Sequence, residues 1–439
     1  MAIAQGSAVT HAAPVSTQTQ IVATVIGNAL EWYDFTVYGF LAVTISQLFF
    51  PPGSPTALLS TLAIFGVAYV LRPLGGLVFG HFADVIGRKN VLAAVIAAMT
   101  LGMALLAFAP TYATVGIAAP VILLLARMIQ GFSVGGEFAT ATTYLVEHAP
   151  PGRRFLFGSL QFAGQGAAVM LGGFVGFAVA RGLSPEALQS WAWRLPFMVG
   201  LIIGPVGFYI RTRLAETPEF LSDQGAGRAR ETVPVVSAFA DYKARMLTGF
   251  CLVLGGTASF YVLFIVMPTY AIKTLNLGVQ ASFVAPLVGG LSMMLGAPIG
   301  GMLADRFGRK PSSFAPLAVL AILVLPAFGW LAEAPSVGRM ALVELVLAGM
   351  LGLYSGAQGT AIAELFPVGV RATGMTISYN VGVGVFGGFA PLIVQWLIDT
   401  TGSPLAPAYY DLAGLVVALV AVLAMPRPYA PAQQQPAPA

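Results

Sequence analysis

The chain reads as an all-α membrane protein, with twelve transmembrane helices in two pseudo-symmetric six-helix halves. Three observations predict this. Of 439 residues, 57% are hydrophobic and only 9% charged, against about 25% charged in an ordinary soluble domain. Apolar runs of about 20 residues, the length that crosses about 30 Å of hydrocarbon, recur with short polar breaks between them. A cytoplasmic-type turn motif also occurs twice, once in each half.

Taken in order, the apolar runs predict helices near 21–48, 57–82, 90–109, 115–146, 155–180 and 192–210. A second set follows near 245–271, 280–304, 311–331, 339–364, 372–398 and 408–426. The only long polar connection, from Arg211 to Lys243, separates the sets. The predicted organisation is a disordered N-terminus over 1–20, an N-terminal half over 21–210 and a cytoplasmic linker over 211–244. A C-terminal half over 245–426 and a disordered tail over 427–439 complete it. Residues 1–20 show no basic start and no cleavage pattern, so the first helix is expected to direct insertion.

Basic residues concentrate on one side of the sheet of connections. Arg88, Lys89, Arg153, Arg154, Arg306, Arg309, Lys310 and Arg371 follow even-numbered helices, whereas Arg181, Arg194, Lys273 and Arg339 stand alone after odd-numbered ones. The positive-inside rule then places both termini in the cytoplasm of an inner membrane. That placement explains most of the formal charge of +4, so the charge is no sign of a nucleic-acid partner.

Gly80-His-Phe-Ala-Asp84-Val-Ile-Gly87-Arg88-Lys89 returns as Gly301-Met-Leu-Ala-Asp305-Arg-Phe-Gly308-Arg309-Lys310, each time after the second helix of its half. The spacing suits a tight interfacial turn, with Asp available to cap or pair and the basic pair on the aqueous side. Asp84, Arg88, Asp305 and Arg309 are candidate gating residues that could latch the halves together, set against plain topological anchoring. Glu147, Pro150, Gly152 and Arg153 are echoed after the tenth helix by Glu364, Pro367, Gly369 and Arg371.

These paired motifs resemble the signature of the major facilitator superfamily over nearly the whole chain. Finer features resemble its metabolite:proton symporter branch: Gly27-Asn28 with Glu31-Trp32-Tyr33-Asp34-Phe35, Arg72-Pro73-Leu-Gly75, Arg127 with Gln130-Gly131 and Gly135-Gly136-Glu137, and Arg211 through Glu216-Thr217-Pro218-Glu219-Phe220. Phe260-Tyr261, Pro268-Thr269-Tyr270 and Lys273 through Asn276 look most like citrate or tricarballylate carriers. Where those tend to have Gln-Phe-Asp, this chain has Trp32-Tyr33-Asp34, a form also found in keto-acid and betaine relatives. The resemblance implies alternating access with a proton and a small organic substrate.

Ionisable side chains inside apolar helices are costly and point to function. Glu31, Asp34 and Tyr38 are spaced by three and four, which predicts two carboxyls and a phenol on one face of the first helix. Glu31, Asp34 and Glu137 are the expected proton-coupling groups. Arg127 is the expected substrate ligand, because a guanidinium stays charged and grips carboxylates in a forked geometry. Gln130, Tyr33, Tyr38, Gln161, Gln165, Tyr261, Tyr270, Tyr354, Gln358, Tyr379 and Asn380 could line the rest of a polar cavity, each weighed against a role as helix-packing glue. A permanent buried ion network is the competing structural reading for Asp34, Arg127, Arg72 and Glu137.

Gly382-Val-Gly384-Val-Phe-Gly387 matches a dinucleotide pattern only formally, since it lies inside a membrane helix. His11, His81 and His148 are scattered and Cys251 is single, so no metal centre, cofactor or enzyme chemistry is expected. The leading expectation is proton-coupled symport of a di- or tricarboxylate such as citrate by a monomer. Symport of proline or betaine, or of shikimate or ketoglutarate, is the alternative, with a non-translocating sensor as the reading of another class.

Overall fold

A computed structural model describes residues 17–86, 88–135, 137–212, 235–367 and 370–429. Twelve helical spans cross in two six-helix halves. In the first half these are α1 (Thr17–Phe40, continued by Ala42–Phe49), α2 (Ala57–Ile86) and α3 (Arg88–Ala107). They are followed by α4 (Ala118–Ser133, continued by Glu137–Glu147), α5 (Arg154–Gly182) and α6 (Leu195–Thr212). The second half holds α7 (Val235–Phe260, continued to Lys273), α8 (Val284–Phe307), α9 (Arg309–Glu333) and α10 (Val337–Ala363). It ends with α11 (Arg371–Val383, continued by Ala390–Thr401) and α12 (Ala406–Ala424). Among the described residues, eight helices are long and apolar enough to cross a bilayer. Most of the stretches expected to be a disordered N-terminus, a linker and a C-terminal tail lie outside the described residues, but 17–20 of the first and 235–244 of the second are helical and extend α1 and α7.

Large apolar side chains such as Ile202 and Ile322 face outward, which suits a lipid solvent in which no hydrophobic effect drives helices together and close packing must do so. The halves therefore meet through close backbone approach. On α5, a Cβ added to Gly166 would lie 2.5 Å from the Met294 nitrogen of α8, so only a residue without a side chain lets these backbones cross. The halves also touch where α1 meets α7 and where α2 and α4 meet α11.

Several spans are not regular. α1 breaks at Leu41, and α4 leaves helical form after Ser133. α7 changes to π-helix over Tyr261–Val266, and α11 does so over Gly384–Gly388, overlapping the glycine run that mimics a dinucleotide motif. π segments insert an extra residue per turn and recur at functional sites. Apolar patterning alone predicts none of these interruptions, because every residue in them remains apolar or small.

Candidate functional site

The site begins with the crossing of α2 and α4. A Cβ on Gly131 would overlap the Ala68 carbonyl, and one on Gly75 would overlap that of Phe132. These missing side chains bring two arginines, Arg72 and Arg127, into one neighbourhood although both carry positive charge. Both are fully buried.

Aromatic faces hold the two guanidiniums. The Arg127 guanidinium carbon lies 4.6 Å from the ring centre of Phe35, 4.8 Å from Tyr38 and 5.0 Å from Phe65. That of Arg72 lies 4.4 Å from Phe35 and 4.4 Å from Tyr69. Phe65, Tyr69 and Arg72 are spaced by four and three along α2, so one helical face presents all three. A ring quadrupole stabilises a cation partly, and more so when water is excluded. It does not satisfy N–H donors, however. Arg127 Nη1 donates to Gln130 Oε1 at 3.0 Å, while Nε and Nη2 of both arginines find no hydrogen-bond partner among the described residues. Such donors match the forked geometry of a carboxylate.

The acids of α1 divide between two neighbours. Glu31 Oε1 lies 3.7 Å from Arg72 Nη2, and both side chains are buried. Tyr38, two turns on, donates its hydroxyl to the Thr61 carbonyl of α2 at 3.2 Å. Asp34 is turned away from that line: its Oδ1 packs against Gly200 of α6, where a Cβ would lie 3.0 Å from it. Seven residues come back to within about 20° around a helix, whereas three leave a side chain about 60° away. Glu31 and Tyr38 therefore face α2, and Asp34 faces the interior of the N-terminal half. The charge of Arg127 still acts on Asp34.

The other expected residues distribute unevenly. Tyr261 of α7 packs its ring edge-on against Tyr69, with centroids 5.7 Å apart, and so brings the second half to the arginine cluster. Tyr379 of α11 lies flat on Phe138 of α4 at 3.5 Å, and Asn380 Nδ2 donates to the Gly135 carbonyl at 2.8 Å. Gln161 accepts from Thr142 and donates to the Phe138 carbonyl, while Gln165 is buried with its Nε2 unpartnered among the described residues. Tyr354 and Gln358 of α10 both donate to the Leu252 carbonyl, at 2.7 and 2.9 Å. Tyr33 donates to the Pro196 carbonyl and Tyr270 to that of Pro404, each at 2.8 Å and each away from the arginines. The side chain of Glu137 lies outside the described residues.

Sequence reasoning passed over Tyr69, Phe65 and Asp411. The first two were legible in their spacing to Arg72. Asp411 of α12 is fully buried and accepts from Ser259 Oγ at 2.6 Å; it stands beside Tyr409 and Tyr410 near a span end, where a polar residue attracts no notice.

At the face that carries the basic turns, the halves are stitched together. Asp305 accepts the backbone N–H groups of Phe155 and Leu156, each at 2.9 Å, at the start of α5. Arg371 pairs with Glu147 at 3.1 Å, and Thr360 donates to the Arg154 carbonyl at 3.3 Å. Arg309 instead pairs within its own half, 3.6 Å from Glu364 and in contact with the Pro426 carbonyl. The side chains of Asp84 and Arg88 lie outside the described residues. Glu364, just beyond α10, has its carboxyl raised above the ordinary range by burial, an effect that the Arg309 charge opposes.

Residues 19–234 match a family described as sugar (and other) transporters, and residues 287–438 match the Major Facilitator Superfamily. The chain is 36% identical to the citrate-proton symporter of Klebsiella pneumoniae, covering 90% of this chain and 88% of that one. It is also 36% identical to the ectoine/proline transporter of Corynebacterium glutamicum, covering 94% and 84%, and 33% identical to the proline/betaine transporter of Escherichia coli (strain K12), covering 92% and 82%. Among solved structures, a D-xylose-proton symporter superposes with a TM-score of 0.73 at 18% identity, covering 93% of this chain and 97% of that one.

Proposed function

The chain belongs to the major facilitator superfamily, and from that premise we propose that it is a proton-coupled symporter of a small organic anion, a di- or tricarboxylate such as citrate. The observation that carries this reading is the pair of buried guanidiniums, Arg72 and Arg127, whose Nε and Nη2 donors have no hydrogen-bond partner among the described residues. Only one of them has a carboxylate of the described chain within ion-pair distance, Glu31. Burying a second cation calls for a second anion, and an incoming carboxylate supplies it.

In this reading Arg127 holds the substrate and Asp34, with Glu31, carries the proton. Protonating Asp34 removes a negative charge from the field of Arg127 and frees that cation for the substrate. Substrate and proton then favour the same conformation, which is what cotransport needs, because each shifts the equilibrium only through differential binding. The contacts at the basic face hold one gate closed, and the excess of arginine and lysine there supports a cytoplasmic assignment for it and for both termini.

Relatives at similar identity are named for proline, betaine or ectoine. A zwitterion would need an aromatic surface for its cationic end. Here the faces of Phe35, Tyr38, Phe65 and Tyr69 are already covered by the two guanidiniums, which favours the anion. The test is uptake of labelled citrate into proteoliposomes under an imposed inward proton gradient, with ketoglutarate, tricarballylate, shikimate and betaine as competitors. Gradient-driven accumulation blocked by carboxylates is expected; inhibition by betaine without any carboxylate effect would transfer the assignment to the zwitterion.

A further inference from the structure

Glu344 is a buried carboxyl that the mechanism above does not use. It sits two turns into α10 from the end opposite the basic face and has no exposed surface. Neither carboxyl oxygen has a hydrogen-bond partner among the described residues. Oε2 lies over Gly289 of α8, in the space a side chain there would fill, and the Phe264 ring of α7 borders the same spot.

Among the described residues, no compensating charge faces it. The described charged side chains on the helices packed around α10 stand toward helix ends: Arg154 and Arg181 of α5, Lys243, Arg245 and Lys273 of α7, Asp305 and Arg306 of α8, and Arg309, Lys310 and Glu333 of α9. Glu147 and Arg371, from the segments of α4 and α11 that reach α10, pair with each other. On α10 itself Arg339 donates to the Trp330 carbonyl. The phenols of Tyr270 on α7 and Tyr354 on α10 donate to the backbone carbonyls of Pro404 and Leu252. A carboxylate without donor or cation is strongly disfavoured in such a place, and a proton removes the charge.

We propose that Glu344 is a second proton-binding site of the carrier, held by the C-terminal half and loaded in the conformation seen here. Its position also links it to the arginine cluster. Phe264 belongs to the π-helical segment of α7 and meets Phe260 edge-on at 4.9 Å. Phe260 meets Trp32 of α1 at 4.9 Å, and the Arg72 guanidinium lies 5.9 Å from the Trp32 ring. A change in charge at Glu344 therefore acts on a non-α segment packed against the helix that carries Glu31 and Asp34. The proposal rests on proton coupling and not on which substrate is carried.

Infrared spectroscopy of the lipid-reconstituted protein tests it without any transport. A protonated-carboxyl carbonyl band present at neutral pH in the wild type is expected to lose intensity in Glu344→Gln and to keep it in the exposed-site variant Glu333→Gln. Identical spectra for wild type and Glu344→Gln overturn the proposal. Glu344→Met, apolar and of similar length, replaces the amide should that variant fold poorly. The proton-to-substrate ratio, measured with whichever of citrate and betaine the wild type accumulates, is expected to fall by one proton; an unchanged ratio removes Glu344 from the transport cycle. Failure of wild-type citrate accumulation bears on the substrate reading alone and leaves the infrared result to decide this one.

Discussion

Asp305 of α8 accepts the backbone N–H of Phe155, the second residue of α5, at 2.9 Å, and so reaches from one half of the carrier to the other. Its second oxygen takes the next N–H, that of Leu156. A carboxylate at this position satisfies two of the donors that every helix start leaves free, and it meets the positive end of the α5 dipole. The repeated turn motif thus acts through a helix cap as well as through its basic pair.

Replacing Asp305 by Asn removes the charge and one acceptor while preserving shape. The contact favouring the closed basic face should weaken by about 1–2 kcal/mol, roughly 5- to 30-fold in the ratio of closed to open molecules. Spin-label distances across the basic face of the lipid-reconstituted protein should show a larger open population. A distribution matching the wild type would mean that Asp305 merely anchors the turn.

The Arg371–Glu147 pair gives a contrast at the same face. Glu147 is 43% exposed in its side chain, and such a pair is screened by water and salt, contributing at most about 1 kcal/mol. Glu147→Gln should therefore leave the same distance distribution nearly unchanged. A shift as large as that of Asp305→Asn would show that the exposed pair carries the gate.

What the sequence makes legible follows from what leaves a periodic or repeated trace. The two halves were readable because Asp84 and Asp305 recur in the same frame, and the burial of Arg127 because an arginine in an apolar helix turns inward rather than to lipid. Its surroundings were readable only in part, through Tyr38 and Gln130. Glu31, not Asp34, makes the close ion pair, and its partner is Arg72. Tyr33 and Tyr270 look like cavity residues by type, yet their hydroxyls meet backbone carbonyls of Pro196 and Pro404. Hydroxyl-to-carbonyl contacts between distant segments depend on how helices tilt and cross, and apolar patterning records which residues are inside but not those angles. The π segment at Tyr261–Val266 is invisible for the same reason.

Packing at the α2–α4 crossing should be intolerant of even one carbon. In Gly131→Ala the new Cβ would overlap the Ala68 carbonyl, and backbone cannot yield as a flexible side chain can. Overpacking of this kind costs about 1–3 kcal/mol or more. Thermal unfolding in detergent should begin at a lower temperature, and substrate affinity should fall with it as Arg72 and Arg127 are pushed apart. Unchanged stability would mean that the helices separate freely there.

Arg127→Lys retains positive charge and discards the fork. The ammonium has no planar face to lie on Phe35, Tyr38 and Phe65, and it cannot present two parallel donors. Losing a charge-assisted contact of about 1.5–3 kcal/mol corresponds to roughly a 10- to 150-fold rise in KM for citrate uptake. A wild-type KM would remove the guanidinium from substrate recognition and leave Arg127 as part of a permanent buried network.

Asp34 offers the sharpest separation between coupling and binding. It lies against Gly200, about 60° around α1 from Glu31, so its replacement by Asn changes charge without removing a group from the Glu31–Arg72 pair. In Asp34→Asn the site stays in its proton-loaded form, and Arg127 loses the internal charge that competes with substrate. Counterflow exchange of labelled citrate should persist, while accumulation driven by a proton gradient should fall sharply. Any accumulation that remains should show a proton-to-substrate ratio lower by the proton that Asp34 carries. Accumulation at the wild-type level would instead leave Glu31 as the proton carrier of the N-terminal half, with the Glu31–Arg72 pair opening and closing once in each cycle.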